Sequence, residues 1–240
     1  MNIFEVNGQD SLDLYGLGDI HLGDINCELD KFKAVVEEIR LNPNAKVIIM
    51  GDLLNCATKS SVGKAVYDEY MKSDDQWALA LELLGPIKDK IVGMLIGNHE
   101  FRLEKEGFNP IKALCLALGV QYLGYSTMLN VKVAGKVTTV YATHGHGGGS
   151  RGSIIGKLNK LAEVAVADIY MRGHSHQLIY HRTVVRVVED GKLVDKERLV
   201  VDTGSFLKYD EGYAEMSNLP MVRSGCAIIK FNKNGYTVNI

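Results

Sequence analysis

Short apolar segments alternate with amphipathic segments along the first half of the chain. The apolar segments at 12–18, 46–50 and 91–96 have the length of buried β-strands. Between the first two, residues 28–40 repeat apolar side chains at helical spacing. Alternation of strand and helix in this order is typical of an α/β fold.

Residue types that favour helix starts predict two further helices. Ser73 and Asp74 are good capping residues, and the apolar spacing after them predicts a helix that runs to Leu84. Asn109 and Pro110 predict another helix start, because proline is favoured at the first helical position.

The second half of the chain shifts toward β-structure. Segments 127–134 and 136–142 alternate as paired strands, and Asp190-Gly191 predicts the turn of a long hairpin. The other predicted elements are a helix at 153–167 and strands at 168–173, 226–231 and 236–240. We therefore expect residues 1–240 to form a single α/β domain of two packed sheets flanked by helices.

Composition and charge exclude several classes of protein. The chain has 240 residues, of which 46% are hydrophobic and 23% charged, as expected of a globular protein and not of a disordered or collagen-like chain. The net charge of −2 excludes a strong overall attraction to nucleic acid or acidic membranes. No apolar run approaches the roughly 20 residues of a membrane helix, and the first ten residues do not resemble a secretory signal.

The four cysteines are scattered and none forms a CxxC pair. This pattern argues against a zinc cluster or a disulfide scaffold. It is typical of unpaired thiols in a reducing compartment, so we expect a cytoplasmic protein.

Five polar clusters stand at the carboxyl ends of predicted strands or just beyond them. They are Gly18–His21, Gly51–Asn55, Gly97–Glu100, Thr143–His146 and Gly173–His176. A single Gly-Asp after a strand is usually a turn, but six of the seven histidines lie in these five clusters. Because ligands of open α/β sheets bind outside the carboxyl ends of the strands, we expect the clusters to converge on one site.

The residue types in these clusters are those of a metal centre. Two divalent cations about 3.5–4 Å apart repel each other, so a carboxylate between them is favourable, and imidazole and amide groups complete the coordination. The mixture of nitrogen and oxygen donors suits Mn, Fe, Zn, Co or Ni. The lack of thiolates argues against structural zinc, and the imidazoles argue against Mg or Ca.

The motifs D-x-H, GD-x-x-N, GNH-E, H-G and G-H-x-H, in that order, resemble the calcineurin-like metallophosphoesterase superfamily. They extend from Asp19 to His176. The segments GNHEFR, HGHGGG and GHSHQ are similar to those of phage and prophage-type bacterial members. The resemblance implies a four-layer sandwich with two mixed sheets. It also implies a dinuclear hydrolase of phosphoric esters, a phosphodiesterase or phosphatase, that uses a metal-bridging hydroxide for in-line attack.

The resemblance assigns a role to each motif residue. Asp19, His21 and His176 would hold the first metal ion, Asp52 would bridge both ions, and Asn98, His144 and His174 would complete the second. His99 matches the position that contacts the phosphate and protonates the leaving group. The two ions are expected to be transition metals, with manganese favoured.

Several positions near the motifs stay open. His146 is an alternative ligand to His144, or faces the substrate. The loop at 147–152 is a phosphate-binding loop or a plain surface loop, and Arg102 and Arg151 are candidates to neutralise a substrate phosphate. Asn55 stands where many members of the superfamily have an acidic residue, which puts any role of that position in doubt.

Two other functions compete with the phosphoesterase. A nuclease acting on DNA or RNA shares these motifs, but the chain has no surplus of positive charge and only short segments after residue 176. A non-catalytic scaffold is expected to lose ligands, and none is missing. A kinase is disfavoured because no Gly-Lys-Ser/Thr follows the glycine-rich loop. The expected partner is a phosphoester substrate, a nucleotide or nucleic acid included, and not a membrane.

Overall fold

The computed structural model describes residues 3–58, 61, 69–145, 156, 160–209, 215 and 221–240. The strands are β1 (Ile3–Gly8), β2 (Ser11–Leu17), β3 (Ala45–Ile49), β4 (Ile91–Leu95), β5 (Tyr122–Gly124), β6 (Ser126–Val133), β7 (Lys136–Thr143), β8 (Ile169–Arg172), β9 (Leu178–Glu189), β10 (Lys192–Thr203), β11 (Ala227–Asn232) and β12 (Gly235–Asn239). The helices are α1 (Leu29–Leu41), α2 (Ser73–Leu84), α3 (Asn98–Lys105) and α4 (Pro110–Leu118), with a 3-10 helix at Gly85–Lys90.

The described strands form two mixed sheets. Sheet 1 has the order β12-β11-β2-β3-β4-β5. Strands β2 to β5 are parallel to one another, and β11 pairs antiparallel with both β2 and β12. Sheet 2 has the order β1-β6-β7-β8-β10-β9, in which β7, β8 and β10 are parallel. Helices lie around the two sheets, so the predicted α/β fold of two packed sheets flanked by helices is confirmed.

Apolar side chains fill the space between the sheets and cover their outer faces. Leu14 and Ile48 of sheet 1 share one fully buried cluster with Leu129 of sheet 2. Phe32 of α1 and Leu114 of α4 pack on the other face of sheet 1. The outer face of sheet 2 has a smaller cluster around Tyr141 and Tyr170. Successive side chains of a strand point to opposite faces of the sheet, so one strand contributes apolar side chains to both clusters.

Several predicted elements are confirmed with the local chemistry that motivated them. The Asn109 side chain caps α4 by accepting a hydrogen bond from the Lys112 N–H at 2.8 Å. Asp190 and Gly191 both have positive φ, as a two-residue turn of the β9–β10 hairpin requires. Of the helix predicted at 153–167, residues 156 and 160–164 are helical, residues 165–167 are not, and the other positions lie outside the described residues.

The structure corrects the sequence analysis at four elements. β1, α3 and β5 were not predicted, and residues 98–100 belong to a helix and not only to a loop. The cap of α2 is Lys72 and not Ser73 or Asp74, and it makes no side-chain capping bond. Ser73 is therefore already inside the helix, where Asp74 and Asp75 face the positive end of the helix dipole.

Among the described residues, no helix combines the length and the apolarity that a membrane crossing needs. All four cysteines lie in the described ranges and are free thiols.

Candidate metal centre

The loops after β2, β3, β4, β7 and β8 meet at one end of the molecule. The first three follow parallel neighbours of sheet 1, and the other two follow parallel neighbours of sheet 2. Backbone hydrogen bonds join the first two loops, from the Asp19 N–H to the Gly51 carbonyl and from the His21 N–H to the Asp52 carbonyl, both at 3.0 Å. The predicted convergence of the five clusters is therefore present in the structure.

Asp19, His21 and His176 form the first group of candidate ligands. Their ligand atoms all lie within 4.8 Å of one another. His176 Nε2 lies 3.4 Å from Asp19 Oδ1 and 3.3 Å from His21 Nε2. Asp19 and His21 are buried, and the His176 side chain is 35% exposed. The group therefore has one open side.

Asp52, His144 and His174 form the second group, again within 4.8 Å. His144 Nε2 lies 3.2 Å from Asp52 Oδ2 and 3.0 Å from Asn98 Oδ1. The other ring nitrogen, Nδ1, donates to the Met50 carbonyl at 2.8 Å and fixes the orientation of the ring. All four side chains assigned to the second ion and its bridge thus lie together.

Asp52 connects the two groups. Its Oδ2 atom lies 3.2 Å from His144 Nε2 in the second group and 4.0 Å from His21 Nε2 in the first. A carboxylate between two clusters of imidazoles is the arrangement that two neighbouring cations need.

The donor atoms fit divalent transition metals. Asp19 Oδ1 and His174 Nδ1 are buried and have no hydrogen-bond partner in the described structure. Buried polar atoms nearly always have a hydrogen-bond partner. Two buried donor atoms without one, in the same cluster, are therefore suited to bind a cation. The donors are imidazole nitrogens and carboxylate or amide oxygens, which suit Mn, Fe, Zn, Co or Ni.

Backbone strain is concentrated at the same residues. Positive φ angles, between 49° and 72°, occur at the five candidate ligands Asp19, His21, Asp52, His174 and His176. The left-handed region costs about 1–3 kcal/mol for such residues and persists where the surroundings enforce it, most often at functional sites. The positions are thus held by the fold and not by local preference.

The carboxylates and imidazoles influence one another's ionisation. Burial opposes the charge of Asp52, but His144 and His99 outweigh it and hold the pKa of the Asp52 carboxyl well below its usual range. Burial also opposes the charge of His144, yet Asp52 raises the pKa of that imidazole to about 10. Burial, reinforced by His144, lowers the pKa of His174 to about 4.

His99 lies at the start of α3, against Asp52. Its backbone N–H donates to Asp52 Oδ1 at 2.8 Å, and its Nδ1–H donates to the Asn55 carbonyl, also at 2.8 Å. Nε2 is left facing the site, 4.0 Å from Asp52 Oδ2. Burial lowers the pKa of His99. Asn55 therefore holds His99 through its backbone carbonyl, and this contact does not require the acidic side chain that many members of the superfamily have at this position.

His99 also offers an alternative as a ligand. Its ligand atom lies within 4.8 Å of those of His21 and Asp52. The geometry alone thus leaves two roles for this ring, substrate contact and metal binding.

Among the other sequence candidates, Arg102 lies beside His99. Its Nη1 is 3.3 Å from His99 Nδ1. Because Nδ1 carries the hydrogen that is donated to the Asn55 carbonyl, this contact is not a hydrogen bond, and the guanidinium lies beside the imidazole ring. His146, Arg151 and the loop at 147–152 lie outside the described residues.

Glu100, for which the sequence motifs predicted no role, joins two loops of the site. This buried carboxylate accepts hydrogen bonds from three backbone N–H groups, those of Asp52, Leu54 and Gly97, at 3.1, 2.9 and 2.9 Å. Burial, together with the charge of Asp52, raises the pKa of Glu100 to about 7. Its place at the third position of a helix, where acids cap the first turn, was an available signal.

A second unpredicted contact holds the loop between β8 and β9. The Ser175 hydroxyl, between candidate ligands His174 and His176, donates to Asp202 Oδ2 on β10. Asp202 is fully buried, which raises the pKa of its carboxyl to about 8. An aspartate at the end of an apolar strand was the signal in the sequence.

Two glycines allow the loops to approach closely. A Cβ atom at Gly97 would lie 2.1 Å from Asp52 Oδ1, and one at Gly51 would lie 2.8 Å from His144 Nδ1. Both distances are shorter than a side-chain carbon tolerates, so glycine is required at these positions.

Residues 14–178 match the family of calcineurin-like phosphoesterases, Metallophos. The chain belongs to this family. The match covers β2 to β8 and all seven candidate ligands, and it confirms the resemblance seen in the motifs. The family supports a metal-dependent phosphoesterase in general terms.

Several solved structures are similar to this chain at low sequence identity. One is a predicted phosphoesterase from Streptococcus pneumoniae, with 17% identity, a TM-score of 0.43 and coverage of 95% of this chain and 87% of that chain. Another is zinc-complexed Vps29 from Entamoeba histolytica, with 14% identity, a TM-score of 0.40 and coverage of 95% and 97%. A third is GAP50 of Plasmodium, with 13% identity, a TM-score of 0.44 and coverage of 95% and 84%. No curated protein matches the chain.

Proposed function

We propose that the protein is a dinuclear metal-dependent hydrolase of phosphoric esters. Asp19, His21 and His176 bind one ion; Asn98, His144 and His174 bind the other; Asp52 is shared. The observation that carries the proposal is the position of Asp52 Oδ2, close to a histidine of each group. His99 and Arg102 lie at the same site as the seven candidate ligands.

Two divalent ions bound there supply Lewis acidity, which activates a water molecule for attack on phosphorus and offsets negative charge. The residues of the chain do the positioning. Glu100 fixes the Asp52 loop against α3, and Ser175 and Asp202 fix the loop of His174 and His176.

His99 serves the leaving group in this proposal. Since Nδ1–H is used by Asn55, the proton for the departing oxygen is held at Nε2. Burial favours the neutral ring, but a bound phosphate brings negative charge that favours the protonated form. Arg102, next to the ring, is placed to contact a phosphate oxygen.

Manganese is the ion we propose, because a site of mixed imidazole and oxygen donors without thiolates accepts it readily. The free cysteines are consistent with a reducing compartment, and we propose a cytoplasmic location. The sheets share one core, which supports a single domain over 1–240.

The test is a hydrolysis assay on metal-free protein reloaded with Mn²⁺, with nitrophenyl phosphate and its bis-ester as substrates. We expect hydrolysis that depends on the metal and is lost in Asp52→Asn, which keeps the shape of the side chain. Absence of hydrolysis with Mn, Fe, Zn, Co and Ni, in protein shown to contain the metal, would contradict the proposal and favour a non-catalytic scaffold.

A further inference from the structure

The short segment 55–57 sets the orientation of the His99 ring. The Asn55 carbonyl accepts the hydrogen of His99 Nδ1 at 2.8 Å. The next residue, Cys56, is fully buried and has a φ of 46°, in the left-handed region that residues other than glycine rarely adopt. Such a conformation persists only where the surroundings enforce it. The direction of the Asn55 carbonyl therefore depends on the contacts that hold this segment.

Two side chains from another part of the chain bind the backbone of segment 55–57. The Cys56 N–H donates to Gln76 Oε1 at 3.0 Å. The Ala57 N–H donates to Glu69 Oε1 at 2.9 Å, and the side-chain amide of Asn55 lies 3.5 Å from the same oxygen. Gln76 and Glu69 belong to none of the sequence motifs, yet they hold the strained residue and the one after it.

Gln76 and Glu69 also fix each other. Gln76 lies on α2 and is fully buried, and its Nε2 donates to Glu69 Oε1 at 2.6 Å and to the Met71 carbonyl at 2.8 Å. These two bonds turn the amide oxygen of Gln76 toward the Cys56 N–H. Hydrogen bonds to a carboxylate are stronger than those between neutral groups. The pair is therefore in place to keep segment 55–57 in its unfavourable conformation.

The same pair touches the loop that carries His21. A Cβ atom at Gly23 would lie 2.4 Å from Gln76 Nε2, and Glu69 forms an isolated β-bridge with Asp24. Support of this loop alone would make the pair important for metal binding. Support of segment 55–57 would instead make it important for the His99 ring. The two roles therefore predict different losses when the pair is changed.

We propose that Gln76 and Glu69 are positioning residues for His99. They hold segment 55–57 so that the Asn55 carbonyl keeps the hydrogen on Nδ1 and Nε2 faces the substrate. The hydrogen bond made by one nitrogen of a histidine decides the state of the other, which is why a backbone carbonyl is sufficient here. The kinetic consequence rests on the proposed function, whereas the state of the ring can be measured without any activity.

The first test changes the pair and measures turnover. Gln76→Leu keeps the approximate size of the side chain and leaves the Cys56 N–H without its acceptor. We expect turnover of esters with high-pKa leaving groups to fall by about 10-fold or more, within the 10²–10⁴-fold that a general acid contributes. Nitrophenyl esters and the metal content should change little. Glu69→Gln should give a smaller loss of the same kind, and Glu82→Gln, exposed on α2, is the control.

A double-mutant cycle separates positioning of His99 from general support of the fold. If Gln76 acts through His99, Gln76→Leu should change the turnover of His99→Ala by no more than about twofold, the usual error of additivity. Equal losses in the wild-type and His99→Ala backgrounds overturn the proposal. Loss of a metal ion in Gln76→Leu also overturns it, in favour of support of the His21 loop.

The state of the ring is measured in metal-free protein. Long-range nitrogen–proton correlation spectra distinguish the two neutral forms of histidine, and His99→Ala identifies the signals of this ring. At a pH where the ring is neutral, we expect the hydrogen on Nδ1 in wild type and in Glu82→Gln.

Gln76→Leu and Glu69→Gln should shift the His99 hydrogen toward Nε2, the form that free histidine prefers. A wild-type ring with its hydrogen on Nε2, or a ring unchanged in both variants, overturns the proposal. Protein that is inactive with every metal overturns the proposed function alone, because the spectra still decide whether the pair positions His99.

Discussion

At the residue scale, the contacts of each side chain in the candidate site determine the role proposed for it. His99 is the histidine with its backbone bound to Asp52 and its Nδ1 bound to Asn55, so only Nε2 remains for the substrate. Asp52 lies between the two groups of candidate ligands. Ser175 connects the loop that carries His174 and His176 to Asp202.

His99→Ala should leave metal content unchanged and lower turnover, because the ring acts on the leaving group. The expected loss is about 10²–10⁴-fold for esters with high-pKa leaving groups and small for nitrophenyl esters, which leave without a proton. A series of leaving groups measured on wild type and variant checks this. An equal loss across the series indicates phosphate positioning instead, and a lost metal ion indicates that His99 is a ligand.

Ser175→Ala and Asp202→Asn should weaken metal binding, since the hydroxyl–carboxylate bond orients the loop that carries His174 and His176. Residues that orient ligands typically contribute 10–100-fold in metal affinity, about the size expected here. Calorimetric titration with Mn²⁺ measures the change. Asp195→Asn, on the same strand but paired with Arg186 at the surface, is the control and should bind as wild type does. Unchanged affinity in both loop variants would contradict the role.

At the element scale, α3 begins at the candidate metal centre. Its N-terminus supplies Asn98 and His99, and Gly97 before it contacts Asp52 closely. Of its eight residues only Glu100 is fully buried, while Phe101 and Leu103 are partly buried against the core. The hydrogen bonds of Glu100 fix the start of the helix against the Asp52 loop.

Gly97→Ala should destabilise the protein by about 1–3 kcal/mol, because the new Cβ would overlap Asp52 and force the backbone apart. It should also reduce metal content. Urea unfolding and metal analysis measure the two effects. Gly85→Ala is the matched control, since Gly85 has helical φ and ψ and open space around it. That change should be neutral or stabilising by up to about 1 kcal/mol. Equal stability of the two variants would show that the close approach is not needed.

The elements that could be predicted from sequence are those with an apolar pattern of their own. β2, β3 and β4 are short segments rich in apolar residues, and the β9–β10 hairpin has its turn residues. α3 could not be predicted in this way, since its eight residues contain only two apolar side chains, Phe101 and Leu103, too few for a helical pattern. β1 has one buried residue, Val6, and is an edge strand whose partner, β6, lies over 100 residues away.

The same distinction holds in the site. Candidate ligands could be found because each follows a strand directly and has metal-binding chemistry. The contacts of Glu100 are to backbone N–H groups, and Asp202 meets Ser175 across 27 residues of sequence. The positions of Glu100 and Asp202 were weak signals, but the partners that these two side chains contact leave no pattern in a single sequence. The roles of the ligands themselves remain predictions.

At the scale of the whole molecule, the candidate metal centre lies between the two sheets. Asp19, Asp52 and Asn98 follow strands of sheet 1, and His144 and His174 follow strands of sheet 2. A metal ion that binds ligands from both sheets stabilises the folded state alone, because the ligands are dispersed in the unfolded chain.

Metal removal should therefore lower the thermal stability. At a metal concentration of 100 times Kd, linkage predicts about 2.7 kcal/mol of added stability for each site. Thermal unfolding of chelated and Mn²⁺-loaded protein measures this, with Mg²⁺ as the comparison ion that imidazole sites bind poorly. Equal melting temperatures in all three conditions would argue against metal binding across the sheets.

The most direct test of the central claim, two ions that share Asp52, is a count of metal ions per chain. Metal-free protein is saturated with Mn²⁺, excess ion is removed, and the metal bound to wild type, Asp52→Ala and Asp19→Ala is measured in parallel. We expect two ions in wild type, loss of the first ion in Asp19→Ala, and the greatest loss in Asp52→Ala, where both sites lose their common carboxylate. At most one ion in saturated wild type, or a full complement in Asp52→Ala, would contradict the account.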